Sequence, residues 1–188
     1  RDDGTSVTAI LLVLAAVLMA TATAAMVVPA GTQEYGVVSA EFESDNPTVI
    51  ERGTSQEVEY PVPNAGLVPV QAYVTPESPG VAVDRQRIAV GPRGEASTTV
   101  TLTAPDETGY YRLFVVEHRY LAVLPPAVID GLYRVHPWVP LVAINGLLGG
   151  GILAAGLLLL RGEPARIRRR ESRRTTPLHR RLLRALYK

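Results

Sequence analysis

Residues 105 to 116 read PDETGYYRLFVV, a polar turn followed at once by the most apolar short segment in the middle of the chain. Pro105, Asp106 and Gly109 are typical turn residues, because they adopt or tolerate the backbone angles that a change of direction requires. Tyr110 to Val116 is rich in aromatic and β-branched residues, which favour strands. We therefore expect this segment to be the central strand of a sheet.

The segments before it repeat a pattern of short alternating stretches separated by Pro and Gly, at the spacing of roughly ten residues that is typical of all-β domains. In the first stretch, Val38, Ala40 and Phe42 are expected to face the core. Seven strands are predicted within a β-sandwich over residues 30–122. They centre on Val38 to Phe42, Val58 to Val62, Val68 to Val74, Val81 to Asp84, Ile88 to Val90, Ala96 to Ala104 and Tyr110 to Val116.

The turn before the predicted central strand resembles the turn that enters the penultimate strand of immunoglobulin-like domains. There a Tyr hydroxyl bonds back to the backbone a few residues upstream, and Tyr111 fits the spacing from Glu107 and Gly109 better than Tyr110 does. The resemblance implies a mainly β, immunoglobulin-like sandwich in which Gly109 and Tyr111 are structural residues. A core Tyr without a recognition role is the interpretation we adopt.

Two apolar runs flank the sandwich, Ser6–Val28 and Trp138–Leu160, each 23 residues long. At 1.5 Å per residue, each is long enough to cross a hydrocarbon layer of roughly 30 Å. A buried core helix is the alternative, but a helix that is apolar on every face needs more surrounding protein than this chain supplies. The first run also resembles a cleaved secretory signal, although the flank Arg1 to Gly4 is acidic where a signal is basic.

Charge predicts the orientation of these two runs. Residues 30–137 contain seven Arg against fourteen carboxylates, whereas residues 161–188 contain eleven Arg or Lys against two Glu. Basic loops stay on the cytoplasmic side. We expect a two-pass cell-membrane protein with a short cytoplasmic flank at 1–5, spans at 6–28 and 138–160, an extracytoplasmic sandwich and a cytoplasmic tail at 161–188.

The Arg residues expected to set topology or meet lipid headgroups are Arg161, Arg166, Arg168, Arg169, Arg170, Arg173 and Arg174. Nucleic acid is a disfavoured partner, because these residues lie close to the end of a span.

Residues 123–137 include the apolar and aromatic stretch PPAVIDGLYRVHP, which begins at Pro125. A short helix starting at Pro126 would present an apolar face, and Tyr133, Trp138 and Leu132 are predicted as anchors at headgroup depth. The segment is interpreted as a juxtamembrane collar that lies on the outer membrane surface. In the second span, Gly146, Gly149, Gly150 and Gly151 are candidates for close helix packing, with simple flexibility as the equal alternative.

The sequence contains no recognisable catalytic, cofactor or metal site. Cys is absent, which excludes disulfides and thiolate chemistry, and His118, His136 and His179 are dispersed. The sole Lys is Lys188, so a Ser–Lys dyad in the sandwich has no base. A Ser–His–Asp arrangement around His118 stays open, since several Ser residues share its region. No small-molecule substrate and no cofactor are predicted.

Two runs of the chain resemble the carboxy-terminal extension of type I signal peptidases from halophilic archaea. They are VVPAGTQEYGVVSAEF (27–42) and TGYYRLFVVEHRYLAVLPPAVIDGLYRVHPWVPLVAI (108–144). The resemblance covers nearly the whole chain but not the catalytic part, because neither Met19 nor Met26 follows a Ser as the nucleophile box requires. Arg1 in place of Met fits a fragment of a longer serine peptidase, and the excess of Arg over Lys agrees with a salt-adapted source.

The expected function is therefore that of a non-catalytic, membrane-anchored module for signal-peptide processing. Its partner would be a peptidase domain in cis or another membrane protein, and it would position the active site or the substrate at the outer membrane surface. The alternative is a stand-alone surface adhesion or assembly protein with an immunoglobulin-like ectodomain. A third interpretation makes the chain itself a hydrolase that uses His118.

Overall fold

The computed structural model describes residues 7–159, a mainly β unit between two long helices. In chain order the elements are α1 (Val7–Val27), β1 (Gly31–Ala40), β2 (Val49–Glu51), β3 (Ser55–Pro63), β4 (Val70–Pro76), β5 (Val81–Val83), β6 (Arg87–Val90), β7 (Glu95–Thr103), β8 (Gly109–Leu121), α2 (Pro126–Val135) and α3 (Trp138–Leu159). The predicted flank and basic tail, with Arg161, Arg166, Arg168, Arg169, Arg170, Arg173 and Arg174, lie outside the described residues.

The eight strands form a five-stranded sheet in the order β2-β1-β8-β4-β6 and a three-stranded sheet in the order β3-β7-β5. The central strand of the larger sheet is β8, which pairs antiparallel with β1 on one side and with β4 on the other. This strand contains the segment Tyr110 to Val116. The mainly β fold is confirmed, and its strands number eight among the described residues.

The extra strand is β2, which the alternation pattern did not predict. It has only three residues and pairs in parallel with the end of β1, with Val38 opposite Val49. Three residues are too few to display a period of two.

The apolar core lies between the two sheets. Val100 and Leu102 of β7 face Leu113 and Val115 of β8, and all four are buried. The inward face predicted for Val38 to Phe42 is wrong at two positions, because Val37 and Ser39 of β1 are buried while Val38, and Phe42 beyond the end of β1, are exposed. Pairing with β8 sets the register, which places Val37 opposite the inward-facing Tyr111.

Strand β4 is buried on both faces. Val70, Ala72 and Val74 face the core, and Gln71 and Tyr73 on the other face are also buried. The outer face of β4 is shielded from solvent because α2 packs against it. The segment predicted to lie on the membrane as a collar is therefore docked, through part of its surface, on the sandwich.

Helices α1 and α3 pack antiparallel against each other. A Cβ atom at Gly149 would overlap the side chain of Met19, and one at Gly156 would overlap Leu11. Asn145 Nδ2 donates to Thr23 Oγ1 at 3.0 Å between the two helices. Both helices are long and apolar enough to cross a membrane, and most of their surface is exposed. A buried core helix is thus not what either run forms.

Candidate functional site at the sandwich and helix junction

The candidate site is the junction, by which we mean α2, the parts of β4, β6 and β8 beneath it, and the start of α3. Helix α2 begins with Pro126, whose fixed φ suits a first helical position. It ends at Val135, and the next residue, His136, is extended, with φ −172° and ψ 145°. The following Pro137 favours this extended conformation, and so the chain turns there into α3.

An aromatic cluster joins α2 to the sheet. The ring of Tyr133 stacks on Tyr73 with centroids 4.0 Å apart, and Tyr120 meets both rings edge-on at 5.7 and 6.0 Å. His118 lies 5.9 Å from Tyr133. Ile129, one turn before Tyr133, is completely buried. Burying aromatic surface of this size is a large favourable term in docking a ten-residue helix.

A polar cluster lies beside the aromatic one. Asp130 of α2 accepts hydrogen bonds from Tyr73 Oη, from Gln71 Nε2 at 2.9 Å and from the guanidinium of Arg87. Gln71 Nε2 also bonds to Tyr73 Oη at 2.7 Å. Burial, and then the neighbouring Asp130 carboxylate, raise the pKa of Tyr73. We call these four residues the Asp130 cluster; they tie α2 to both β4 and β6.

The corner between α2 and α3 is held by two further bonds. Tyr120 Oη donates to the carbonyl oxygen of Pro137 at 2.5 Å, and burial raises the pKa of Tyr120. The backbone N–H of Trp138 donates to His136 Nδ1 at 3.2 Å, which satisfies one free donor at the start of α3. The direction of α3 relative to the sandwich is thereby fixed by named contacts.

On the inner face of the same sheet, Glu117 and Arg119 form a buried ion pair. Tyr60 Oη donates to Glu117 Oε2 at 2.8 Å, and Arg119 Nη1 donates to the carbonyl oxygen of Pro63 at 2.5 Å. Burial and the bond to Glu117 raise the pKa of Tyr60. A buried pair is tolerated only when its remaining groups are bonded. This one connects β8 to β3 across the two sheets.

Within residues 7–159 the His118 side chain makes no hydrogen bond to a Ser or Thr hydroxyl. It is half-buried, and burial lowers its pKa although the carboxylates of Glu77 and Glu117 oppose that shift. Ser39 Oγ donates to the carbonyl oxygen of Pro105, and Ser78 Oγ accepts from the N–H of Phe114. Within residues 7–159 no three His, Asp or Glu side chains are grouped to hold a metal ion.

The predicted anchors occupy different environments. Trp138 is 60% exposed at the start of α3, Tyr133 is half-buried against the sandwich, and Leu132 is half-buried. Whether any of them reaches headgroup depth stays a prediction. Val135, which is 75% exposed, lies on the same corner as Trp138.

The predicted glycine positions divide into two groups. Gly149 packs on α1, whereas a Cβ atom at Gly146, Gly150 or Gly151 would meet nothing within 4 Å. The second group is therefore free of contacts within the described residues.

At the far end of the sandwich, Tyr111 Oη donates to the carbonyl oxygen of Glu107 at 3.1 Å, and the Tyr111 ring lies against Gly109.

Sequence reasoning missed Tyr73, Gln71 and Tyr120 as junction residues. The available signal was Asp130, the one carboxylate of α2, which has to find donors wherever its face of the helix is buried.

No protein-family model matches the chain, and no curated protein matches it. Three solved structures are similar at low scores. SSP-19, an MSP-domain protein like family member of Caenorhabditis elegans, is 14% identical with a TM-score of 0.35, over 45% of this chain and 77% of that one. PapD-like domain 7 of human CEP192 is 14% identical with a TM-score of 0.32, over 48% and 73%. The CupB2 chaperone of Pseudomonas aeruginosa is 17% identical with a TM-score of 0.25, over 40% and 54%. The likeness concerns the β fold alone, and at TM-scores below 0.5 nothing about this chain's function follows from it.

Proposed function

We propose that the chain is a membrane-anchored, non-catalytic module of a signal peptidase-like protein, which holds a neighbouring active site or its substrate at a set height above the outer membrane surface. The two apolar helices with exposed surfaces, the charge asymmetry and the resemblance of residues 27–42 and 108–144 to haloarchaeal signal peptidases support it.

The observation that carries the proposal is that one connection between sandwich and helices is short and the other is held by hydrogen bonds. Only three residues separate Val27 of α1 from Gly31 of β1, and the α2 connection is bonded through the Asp130 cluster and Tyr120. A tether that served only to retain the sandwich at the membrane would need neither a short connection to α1 nor hydrogen bonds that hold α2. A rigid connection is what positioning requires, because a small displacement of reacting groups costs catalysis severely.

The test uses the complete peptidase. Asp130→Ala would loosen the junction, and Tyr111→Phe at the distant end of the sandwich is the matched control. We expect Asp130→Ala to slow preprotein cleavage or to shift its site, and the control to do neither. Unchanged rate and site choice in Asp130→Ala, together with the same result after deletion of residues 30–137, would refute the proposal.

The proposed topology places the sandwich outside the cell membrane and both ends of the chain in the cytoplasm. Because the chain has no Cys, single-cysteine variants report without background. An impermeant maleimide applied to sealed cells should modify Thr108→Cys and spare Ser172→Cys. The reverse pattern would invert the topology and overturn the proposal.

A second candidate is a stand-alone adhesion or assembly protein, favoured by the uncovered glycines of α3. Gly146 and Gly150 are four residues apart and open, as in helices that pair closely in membranes. Crosslinking in membranes should then give a dimer or heteromer that Gly150→Leu abolishes. Capture of the chain only together with a peptidase domain would favour the first proposal.

A further inference from the structure

The loop from Pro63 to Val68, between β3 and β4, is well held yet presents apolar side chains to the outside. Asn64 Nδ2 donates to the carbonyl oxygens of Val68 and Gly91, both at 2.9 Å, and Asn64 Oδ1 accepts from the N–H of Gly66 at 3.0 Å. Despite this, Leu67 is 71% exposed and Val68 is 39% exposed. A fixed loop with an apolar tip indicates a surface that contacts something apolar.

Between this loop and α1 runs an apolar groove of about 780 Å³. Its walls are α1 from Leu18 to Val28, the loop, the end of β8 and Leu148 of α3. The groove is continuous with the exposed surface of α1. Leu18 lies nine residues before the end of α1 at Val27, so the groove extends about 14 Å below the outer end of that helix at 1.5 Å per residue. It therefore opens towards the hydrocarbon layer if α1 spans the membrane.

Arg93 is next to the loop tip. Its N–H donates to the carbonyl oxygen of Gly66 at 2.9 Å, which joins the β6–β7 turn to the loop. Its φ is +51°, a region where Gly or Asn is usual. The side chain is exposed, and it forms no ion pair within residues 7–159. A cation in a strained backbone position beside an apolar tip suits a phosphate group at a membrane surface.

We propose that Leu67 and Val68 enter the outer leaflet, that the groove holds an acyl chain of one phospholipid, and that Arg93 meets its phosphate. A phospholipid accounts for both the apolar groove and the cation beside its loop, whereas an apolar partner helix would supply no anion for Arg93. The proposal rests on the membrane anchoring proposed above and not on the link to a peptidase.

The first experiment measures where three positions lie in vesicles of phosphatidylcholine and phosphatidylglycerol. Bimane is attached to Leu14→Cys, Leu67→Cys or Thr108→Cys in the full chain, and its emission is quenched by nitroxide lipids or by iodide in water. The label at position 67 should lose most of its emission to the nitroxide lipids and little to iodide, whereas the label at 108 should show the opposite.

Each outcome has a defined meaning. If the label at 14 is not quenched by lipid, the membrane anchoring itself fails. If 14 is quenched but 67 behaves like 108, this inference alone is overturned. If the label at 67 is protected from both quenchers, a protein segment covers the groove, and the lipid proposal is also overturned.

A second measurement addresses the acyl chain directly. Ala25→Phe would fill the groove, whereas Ala20→Phe adds the same bulk to an exposed position of α1 outside it. Native mass spectrometry of the purified chain should show one phospholipid retained by the wild type and by Ala20→Phe, and its loss in Ala25→Phe. Arg93→Gly, which relieves the positive φ, should fold normally and retain less phospholipid. Equal retention in Ala25→Phe and the wild type would contradict acyl-chain binding.

Discussion

Substitution of Asp130 by Ala should separate α2 from the sandwich at a cost that the contacts allow us to work out. Tyr73 and Gln71 are buried, and a buried donor left without an acceptor costs about 1–3 kcal/mol. The Gln71 amide keeps its bond to the Tyr73 hydroxyl, so it is not left without a partner. The Tyr73 hydroxyl loses its acceptor, Asp130, and one full penalty is therefore expected. The Arg87 side chain is 58% exposed, and its pair with Asp130 therefore adds about 0–1 kcal/mol. Together these contributions give an expected loss of roughly 1–4 kcal/mol for Asp130→Ala.

Two matched variants sharpen this prediction. Arg87→Ala removes only the exposed partner and should cost less than about 1 kcal/mol. Tyr73→Phe removes one donor and leaves Asp130 bonded to Gln71 and Arg87, so it should cost about 1 kcal/mol.

The assay is urea unfolding of the sandwich in the full chain in detergent micelles, followed by far-ultraviolet ellipticity and by the emission of Trp138, the single Trp, which lies at the junction. An Asp130→Ala variant no less stable than Arg87→Ala would refute the reasoning, because the buried part of the cluster would then contribute nothing.

Three other predictions use urea unfolding or protease sensitivity. Glu117→Ala leaves Arg119 buried without its carboxylate and should cost about 3–5 kcal/mol, a loss that an unchanged urea midpoint would contradict. Because the pKa of His118 is lowered in the folded state, the unfolded chain binds the extra proton, and stability should fall as pH falls through 6.5. His118→Gln should remove that part of the slope, and identical slopes would contradict it. Gly149→Leu should separate α1 from α3 and make the chain sensitive to protease in mild detergent, whereas Gly151→Leu, at an open position, should not.

An element could be predicted from the sequence where nearby residues determine its structure, and not where distant residues do. The two long helices and the central β8 depend on local composition, and the Tyr111 turn depends on residues four apart in sequence. The inward face of β1 does not, because Val37 and Val38 are both apolar and only pairing with β8 decides which of them is buried. Alternation along one strand cannot contain that information.

The placement of α2 shows a different limit. An amphipathic helix has the same apolar pattern whether it lies on a bilayer or on a sheet, since either supplies an apolar partner. What distinguishes the two is the donors provided by β4 and β6 to Asp130, and these come from residues 43 to 59 positions away in sequence. The proposed membrane contact of Leu67 was likewise not predictable. A single exposed Leu in a loop is common in proteins, and only the structure shows the apolar groove beside it.

The two polar groups at this end of the larger sheet lie on its opposite faces. On the outer face the Asp130 cluster joins β4 and β6 to α2, and on the inner face the pair of Glu117 and Arg119 joins β8 to β3. The same sheet thus has directional bonds on both sides where it meets the helices. Apolar packing alone allows sliding, whereas hydrogen bonds fix geometry. Directional bonds therefore reach both sheets at the end of the sandwich that carries the helices, as the proposed positioning role requires.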